Sequence, residues 1–297
     1  MLLQVMPENM SNLISAGGFE YGVKHFYSPQ KAALTEILFS ALQLSHESAI
    51  ELINLGSVYV NHQRQTQNNE IEQGLLCRVH TKPRRYNCQK DWRDLVVFEC
   101  SDFVILNKPS GIPSHPSVDN AIENSLTQLS LALSTPLLIT HRLDTLTAGL
   151  IVYAKNSNFV KMFNTQIQNK LVEKKYVALV ETQADLPKNV THYMEPSPRA
   201  PKKVSPTFHE NWAMCELEII KQTKLKHLSW VKINLLTGRT HQIRSQMSEL
   251  NAPICGDSLY GSTLSFKDNA IALRACELQF NWGSQRMLFN LPEDFDI

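Results

Sequence analysis

The chain has 297 residues, 43% of them hydrophobic, and a formal net charge of +1 at pH 7. This size and hydrophobic content predict one large domain or two unequal ones, each able to bury a core. No uncharged apolar run reaches the roughly 20 residues that cross a bilayer, and the opening residues lack a signal-peptide pattern. We therefore expect a soluble, cytoplasmic protein and exclude one that spans a membrane.

The six cysteines are widely scattered, at positions 77, 88, 100, 215, 255 and 276. No two of them form a Cys-x-x-Cys pair, so the pattern predicts neither a zinc site nor a disulfide framework. Buried free thiols are the expected state, and no metal site is predicted.

Positive charge is concentrated in the middle of the chain. From Lys155 to Arg244 there are 15 Lys or Arg against 7 Asp or Glu, whereas from Gly256 onward 3 basic residues face 6 acidic ones. Phosphates are contacted by local Lys and Arg side chains, so a basic middle segment suits a nucleic-acid-binding surface. An unevenly charged surface exposed to solvent explains the same pattern equally well.

The first predicted unit runs from about Pro29 to Pro83. Helical apolar spacing predicts helices over Thr35–Leu44 and Ser45–Leu55, with Ser45 as the N-cap of the second. Gly56 then provides a turn, and the alternating segments SVYVN and LLCRVH predict two short strands.

This order of elements resembles the S4-type RNA-binding domain, above all in the stretch SHESAIELINLGSVYVNHQ. The resemblance implies an S4-like RNA-binding domain over residues 29–83. Its basic residues come late, at Arg64, Lys82, Arg84 and Arg85, and we expect Arg84 and Arg85 to contact RNA. A small αβ cap on the larger domain is the alternative.

The second predicted unit begins at about Leu95 and extends to residue 297. The segment LVVFECSDFVILNKPSGIPSHPS predicts two strands and then a loop that Pro109, Pro113 and Pro116 hold extended. Further strands are predicted at GLIVYA, KYVALVE and SWVKINLL, and a helix at FVKMFNTQIQNK. Because strands and helices mix without a regular βαβ period, the pattern favours an α+β fold.

The stretch HRLDTLTAGLIVYAK places Arg142 and Asp144 just before one of these strands. Taken alone, such a pair is usually solvated, and its carboxylate is either structural or catalytic. Together with LNKPSGIPSHP, KKYVALV, TGRTHQIRSQM, GDSLYG and a closing LPEDF, the stretch closely resembles the RluA-type pseudouridine synthases. The resemblance covers residues 95–297.

This resemblance implies an α+β pseudouridine synthase fold, with a long, mainly antiparallel mixed sheet, preceded by the S4-like domain. It implies an isomerase that converts specific uridines of structured RNA, either rRNA or tRNA, to pseudouridine without a cofactor. We expect RNA as the partner, no membrane, no obligate protein partner and a monomeric chain. The alternatives are an RNA-binding protein that has lost catalysis and a carboxylate-dependent glycoside hydrolase, for which the sequence offers no obvious second acid.

The same resemblance assigns the site residues. Asp144 maps to the catalytic carboxylate, Tyr176 to the aromatic residue of the KxYxALV strand, and Arg244 to the basic residue of GRTHQIR. Arg142 maps to a residue that helps to expel the target nucleotide. The expected RNA contacts are Arg142, His141, Lys108, Arg239, His241, Lys202, Lys203, Arg84 and Arg85.

The reaction explains these residue types. The N1–C1′ bond breaks, the uracil turns, and the ring rejoins through C5, so an ionised carboxylate can add to C1′, stabilise positive charge or remove a C2′ proton. These three roles stay open. An Arg close by, for which we expect Arg244, keeps such a carboxylate charged, and an aromatic ring stacks on the base. Departures from the family pattern at Thr145 and at Ser245-Gln246 put the choice of target in doubt.

Overall fold

The computed structural model describes residues 13–14 and 22–295. Their Cα positions divide into two compact units. The first unit contains the described residues up to Cys88 together with His115–Gln128, and the second contains Gln89–Ser114 and the residues from Leu129 onward. The domain limits of 29–83 and 95–297 stay a prediction.

The first unit is a small αβ unit. Its elements are β1 (Leu13–Ile14), β2 (Val23–Tyr27), β3 (Ala32–Ala33), α1 (Leu34–Leu42), α2 (His46–Asn54), β4 (Val58–Val60), β5 (Gln63–Gln65), β6 (Glu70–Ile71) and β7 (Leu76–His80). Antiparallel pairing arranges five strands in the order β1-β2-β7-β4-β5, and β3 pairs with β6. The buried core cluster includes Phe26, Leu34, Ile37, Leu38, Ile53, Val58 and Val79.

Both predicted helices and both predicted strands of this unit are confirmed, although the helices are shorter than expected. α1 ends early because Gln43 adopts a left-handed conformation, with φ 56°, and its N–H donates to the Phe39 carbonyl. Ser45 is the predicted N-cap of α2, since its hydroxyl accepts from the Ser48 N–H at 3.2 Å.

The second unit is built on one large sheet. From β8 to α5 the elements are β8 (Val96–Glu99), β9 (Phe103–Lys108), α3 (Ser125–Leu133), which contains the boundary between the units, β10 (Leu138–Ile139), β11 (Ala148–Ala154), α4 (Ser157–Gln168), β12 (Glu173–Val180), β13 (Asn189–Met194), β14 (Val204–Ser205), β15 (Ala213–Leu225), β16 (Leu228–Leu235) and α5 (Gln242–Glu249). A single 3-10 turn (Ser258–Tyr260), β17 (Leu273–Trp282) and β18 (Gln285–Asn290) follow.

The sheet has 11 strands, in the order β14-β13-β15-β16-β12-β17-β11-β9-β8, with β10 added beside β11 and β18 beside β17. Among the described strands, β11 and β17 run parallel and the other neighbours run antiparallel. The long, mainly antiparallel mixed sheet and the α+β class are therefore confirmed.

Helix α4 covers one face of this sheet with aromatic side chains. Its N-cap is Asn156, whose side-chain oxygen accepts from the Phe159 N–H at 2.9 Å. Phe159 stacks on Phe103 of β9 at a centroid distance of 4.6 Å, and Phe163 meets Phe280 of β17 edge to face at 5.1 Å. These contacts form the centre of a core that fixes the neighbouring strands β9, β11 and β17.

The parallel contact between β11 and β17 requires a glycine. Gly149 has φ +113°, and a Cβ there would lie 2.2 Å from the carbonyl oxygen of Ala275. On the other side of β17, Tyr176 of β12 is the partner of the same Ala275. Gly149, Ala275 and Tyr176 thus lie side by side on three neighbouring strands, close to the start of β11 and therefore to Asp144.

The expectation of buried thiols is confirmed for four of the six cysteines, whereas Cys88 and Cys100 are only half-buried. Cys77, Cys215, Cys255 and Cys276 are free and buried. In the described part of the chain, no helix combines the length and the apolar content that crossing a bilayer would require.

Candidate active site

Asp144 lies in the turn between β10 and β11, where the loop after β9 holds the backbone on both sides of it. The Ser114 hydroxyl accepts from the Leu143 N–H at 3.0 Å and donates to the Leu143 carbonyl at 2.7 Å. The Gly111 N–H donates to the Thr145 carbonyl at 2.9 Å. The Asp144 side chain is 20% exposed. The backbone on both sides of it is held by Ser114 and Gly111, which belong to the loop after β9.

Arg244 of α5 is buried and contacts two carboxylates. Its Nε and Nη2 donate to Asp257 at 2.6 Å and 2.8 Å, and its Nη1 lies 3.6 Å from Oδ2 of Asp144. Burial opposes the charge of Arg244, but the hydrogen bonds to Asp257 and the charges of both carboxylates outweigh it and raise the Arg244 pKa. Asp257 thus orients the cation that faces Asp144. Sequence reasoning missed Asp257, although it is the acid of the GDSLYG segment.

His241 directly precedes α5 and has a left-handed conformation with φ 58°. Its Nε2 lies 4.0 Å from Oδ2 of Asp144, and its Nδ1 lies 2.9 Å from the hydroxyl of Tyr260. Burial lowers the pKa of His241; the charge of Asp144 acts against this effect and the charge of Arg244 adds to it. The structure thus places this predicted RNA contact beside the carboxylate.

Tyr176 lies in β12 with 6% of its surface exposed. Burial raises the pKa of its phenol, and the charge of Asp144 raises it further. The phenol therefore stays protonated at neutral pH, and the negative charge of Asp144 contributes to this.

Lys108, at the end of β9, is completely buried. Its ammonium donates to the carbonyls of Pro109 at 2.8 Å, Ile112 at 2.7 Å and Thr145 at 3.3 Å. Burial lowers its pKa to about 7, and the charge of Asp144 opposes that shift. Sequence reasoning expected a surface contact with RNA here, but the Lys108 side chain has no exposed area. It therefore supports the site from inside the fold.

His141 and Arg142 differ in their surroundings. The Nε2 of His141 accepts from the Val152 N–H at 3.1 Å, and its ring stacks on Phe163 at 5.8 Å. Burial lowers the pKa of His141 to about 3, and the charge of Lys174 acts in the same direction. His141 therefore holds β11 as a neutral ring, whereas Arg142 is exposed. RNA contact by either residue stays a prediction.

Three other predicted RNA contacts lie in the second unit. Arg239 and Lys203 are exposed. Lys202 is half-buried: its ammonium donates to the Ser197 carbonyl and its backbone N–H donates to the hydroxyl of Tyr260 at 2.8 Å. The backbone of Lys202 is thereby joined to the group around Asp144.

Arg84 and Arg85 belong to the first unit, and both form ion pairs there. Arg84 makes a two-point contact with Asp119, at 3.0 Å and 2.7 Å. Arg85 contacts Glu123 at 2.8 Å and also pairs with Glu51. These pairs occupy the guanidinium groups that the sequence assigned to RNA, and RNA contact by them stays a prediction.

The two unusual residues after GRTHQIR lie inside the fold. Ser245 is 2% exposed and its hydroxyl donates to the His241 carbonyl at 3.0 Å. Gln246 is fully buried, donates to the Cys215 carbonyl at 3.2 Å and accepts from Gln242 at 2.9 Å. Gln246 holds α5 against the sheet, whereas the Ser245 hydroxyl bonds within the first turn of α5. Any effect of these two residues on target choice would have to pass through α5.

The structure thus brings five of the predicted residues into one group: Asp144, Tyr176, Arg244, His241 and Lys108. The group offers an ionisable carboxylate, a buried guanidinium, a neutral imidazole and a protonated phenol. An anion held in this way can act on a centre that becomes positive, and the phenol and imidazole can donate hydrogen bonds.

Comparison with known proteins establishes the family. The sequence profile described as RNA pseudouridylate synthase matches residues 102–249. An uncharacterised RNA pseudouridine synthase of Mycoplasma genitalium is 30% identical over 255 residues, which cover 80% of this chain and 80% of that protein. The chain belongs to the RNA pseudouridine synthase family. The predicted RluA-type relationship is therefore confirmed.

Two further comparisons define the extent of the likeness. RNA pseudouridine synthase 6, chloroplastic, of Oryza sativa subsp. japonica is 36% identical over 219 residues, which are 65% of this chain and 46% of that protein. The chain spans about half the length of this relative. The structure of human RNA pseudouridylate synthase domain containing 4 has a TM-score of 0.56 at 20% identity, covering 68% of this chain and 89% of that one. The pseudouridine synthase fold is thus confirmed.

Proposed function

We propose that the chain is an RNA pseudouridine synthase, an isomerase that converts specific uridines of structured RNA to pseudouridine. The observation that supports this most directly is the geometry of Asp144, whose carboxylate faces the guanidinium of the buried Arg244–Asp257 pair at 3.6 Å. The proposed substrate classes are rRNA and tRNA.

In the proposed reaction, the N1–C1′ bond of the target uridine breaks and a C5–C1′ bond forms, while C5 loses a proton and N1 gains one. Asp144 supplies negative charge beside C1′ as positive charge develops there. Attack on C1′, electrostatic stabilisation and removal of the C2′ proton all require the same ionised carboxylate. Arg244 favours that ionised form, because an opposite charge a few ångströms away stabilises it.

Tyr176 is proposed to stack on the detached uracil and to assist the loss of the C5 proton. Because the phenol is protonated at neutral pH, its oxygen can accept the C5 proton only while its own proton passes to another group. Asp144, whose charge raises the pKa of the phenol, is the proposed acceptor of that second proton.

The target base must leave its stack before Asp144 can reach the sugar. Unstacking costs on the order of a few kcal/mol and costs least in loops and bulges, so we propose a single-stranded or bulged uridine as the target. Exposed Arg142 would fill the space that the base vacates. Exposed Arg239 and Lys203 would contact the flanking phosphates.

We propose that the first unit docks RNA as an S4-like domain, with functional domains at 29–83 and 95–297. The order of its helices and strands supports this, as does one basic site. Burial lowers the pKa of Lys24, and the charge of the exposed Lys82 lowers it further. Two neighbouring ammonium groups of this kind attract a phosphate.

The cytoplasmic location and the monomeric state expected from the sequence are also proposals. Fractionation of cells that carry a tagged chain tests the first, and light scattering during gel filtration tests the second. A tagged chain found in an organelle, or a mass of about twice 33.8 kDa, would contradict them.

The function is tested with RNA labelled as 5-tritiated uridine, because the C5 hydrogen is lost when C5 bonds to C1′. We expect the wild-type chain and an Asp185→Asn control to release tritium, and Asp144→Asn to release none. Asp185 is a suitable control because its side chain is 87% exposed. Binding without release would indicate a non-catalytic RNA-binding protein, and free uracil would indicate a glycoside hydrolase.

The RNA itself is identified by mapping pseudouridines in strains with and without the gene. A site that is lost in the deletion strain and restored by the wild-type chain, but not by Asp144→Asn, is a target. If no site changes in rRNA or tRNA, the proposed substrate classes are wrong.

A further inference from the structure

Tyr260 joins three parts of the site through one hydroxyl group. The side chain is 5% exposed and lies in the 3-10 turn Ser258–Tyr260. Its oxygen accepts from the backbone N–H of Lys202 at 2.8 Å and lies 2.9 Å from Nδ1 of His241. A backbone N–H can only donate, so the hydroxyl oxygen is the acceptor in the first contact.

The proton of the Tyr260 hydroxyl then has a defined partner. A phenol carries one proton, and a buried O–H usually finds an acceptor. Within the described residues, the nitrogen at hydrogen-bond distance that can accept this proton is Nδ1 of His241, at 2.9 Å. The contact therefore runs from Tyr260 to His241, with Nδ1 accepting.

This direction fixes the proton on the other side of the imidazole ring. A neutral imidazole has one N–H, so an accepting Nδ1 leaves the proton on Nε2. That nitrogen lies 4.0 Å from Oδ2 of Asp144. Burial lowers the pKa of His241, which keeps the ring neutral at neutral pH. Only a neutral ring has two tautomers.

The ring of Tyr260 also holds the second donor. The guanidinium carbon of Arg244 lies 4.9 Å from the centroid of the Tyr260 ring, a distance typical of a cation–π contact. Tyr260 therefore contacts Arg244 and His241, the two side chains that face Asp144 at 3.6 Å and 4.0 Å. Its hydroxyl acts on His241 and its ring acts on Arg244, so the two effects can be separated by Tyr260→Phe.

We propose that Tyr260 is a positioning residue that sets the Nε2–H tautomer of His241 and thereby directs a second N–H group toward Asp144, beside Arg244. Neither residue has to touch the reacting atoms. The inference rests on the proposed function in one respect, since Asp144 is the group whose charge the donor supports.

The tautomer is measured directly by nitrogen-15 NMR of histidine-labelled protein. We expect Nε2–H for His241 in the wild type and a shift toward Nδ1–H in Tyr260→Phe, which keeps the ring but lacks the hydroxyl proton. Tyr193→Phe is the matched control, because Tyr193 packs edge to face on Phe208 at 5.3 Å, away from these contacts. A wild-type His241 that carries its proton on Nδ1 would overturn the inference, whether or not the chain is active.

Activity supplies a second and independent test. Because Nε2 of His241 lies 4.0 Å from Oδ2 of Asp144, beyond hydrogen-bond distance, its N–H acts on the carboxylate as a nearby dipole. Its loss should cost less than the loss of a direct hydrogen bond to a charged group, so we expect Tyr260→Phe to lower kcat by up to about tenfold with KM nearly unchanged. His241→Gln keeps a donor at the position of Nε2, and this donor does not depend on a tautomer. In the His241→Gln background, Tyr260→Phe should therefore change kcat less than twofold.

The double variant distinguishes positioning from a structural role. If Tyr260→Phe lowers kcat equally in the wild-type and His241→Gln backgrounds, the hydroxyl acts through something other than the imidazole and the inference fails. Thermal melts show whether each variant is folded. If the wild-type chain releases no tritium from any RNA, the proposed function fails, whereas the NMR result still decides the tautomer.

Discussion

Arg244 and Asp257 form a buried two-point ion pair, in which Nε donates at 2.6 Å and Nη2 at 2.8 Å, and their side chains are 4% and 1% exposed. This pair occupies two of the three guanidinium nitrogens. The third, Nη1, is the one that lies 3.6 Å from Asp144. The cation is thus held by one carboxylate and presented to another.

The first prediction follows from that pair. Asp257→Asn leaves Arg244 buried with a single, more distant carboxylate, and breaking a buried pair typically costs roughly 3–5 kcal/mol of unfolding free energy. We expect a loss of this order in urea unfolding, together with reduced kcat because the guanidinium is no longer oriented. Asp185→Asn breaks an exposed pair with Lys224 and should cost less than about 1 kcal/mol. Equal losses for both variants would contradict the prediction.

The second prediction concerns Asp144 itself. Asp144→Asn keeps the size of the side chain and leaves Arg244 paired with Asp257, so we expect a change in unfolding free energy below about 1 kcal/mol. RNA affinity should hold or rise slightly, and tritium release should fall to the detection limit. Melts, binding isotherms and single-turnover assays on one preparation are the measurements. A folded Asn variant that still forms pseudouridine would remove Asp144 from the mechanism.

The third prediction separates the ring of Tyr176 from its hydroxyl. Phe retains the aromatic face, so we expect Tyr176→Phe to bind RNA as well as the wild type does. Loss of a proton-transfer group typically lowers the rate roughly 10²–10⁴-fold, and the block should come after the glycosidic bond has broken. Single-turnover assays that follow both bond cleavage and tritium release show where the reaction stops. Unchanged turnover would mean that the hydroxyl is dispensable.

The fourth prediction concerns pH and Lys108. Its pKa falls from an ordinary value of 10.5 to about 7 on burial, so between pH 7 and 10.5 the unfolded chain binds more protons at this group than the folded chain does. Unfolding free energy contributed by this group therefore rises with pH across that window, and is lost as pH falls through 7. The limiting slope is about 1.4 kcal/mol per pH unit.

Lys108→Met removes this titration and serves as the reference. We expect the difference in unfolding free energy between wild type and Met variant to grow from pH 6.5 to pH 8.5 in urea titrations. The three carbonyl acceptors oppose the effect of burial on the Lys108 pKa. Only the charged ammonium has three N–H donors, one for each carbonyl. Parallel pH profiles for the two proteins would mean that these acceptors keep Lys108 charged throughout.

The fifth prediction tests docking by the first unit. Because His115–Gln128 belongs to that unit, substitution is a cleaner test than removal of the first 90 residues. Lys82→Ala should raise KM with kcat unchanged and reduce the salt dependence of RNA binding by about one unit of slope. Lys31→Ala is the control, since Lys31 is already paired with Glu70 and Glu72. If the two variants bind RNA equally well, the docking proposal loses its support.

Local signals in the sequence accounted for much of the fold. The apolar run GLIVYA, within His141–Lys155, predicted a strand because its apolar content and branched side chains are local properties. Ser45 was predictable as an N-cap for the same reason. The contact of Arg244 with Asp144 was expected from two separate motifs and is present in the structure.

Long-range contacts could not be predicted in this way. The buried position of Lys108 contradicts the general exposure of lysines, and it depends on carbonyls from two loops. Asp257 and Tyr260 both belong to the GDSLYG motif. Their partners are Arg244 and His241, which lie 13 and 19 residues earlier in the chain. Spacing along the sequence gives no means of pairing them.

The support of Asp144 by its neighbours' main chain has a consequence for divergence within the family. Thr145 contributes its carbonyl to Gly111 and Lys108, and every residue type has that carbonyl. The side chain at 145 can therefore change between relatives while the carboxylate next to it keeps its place. A substitution there can therefore change the surface beside Asp144 without moving the carboxylate.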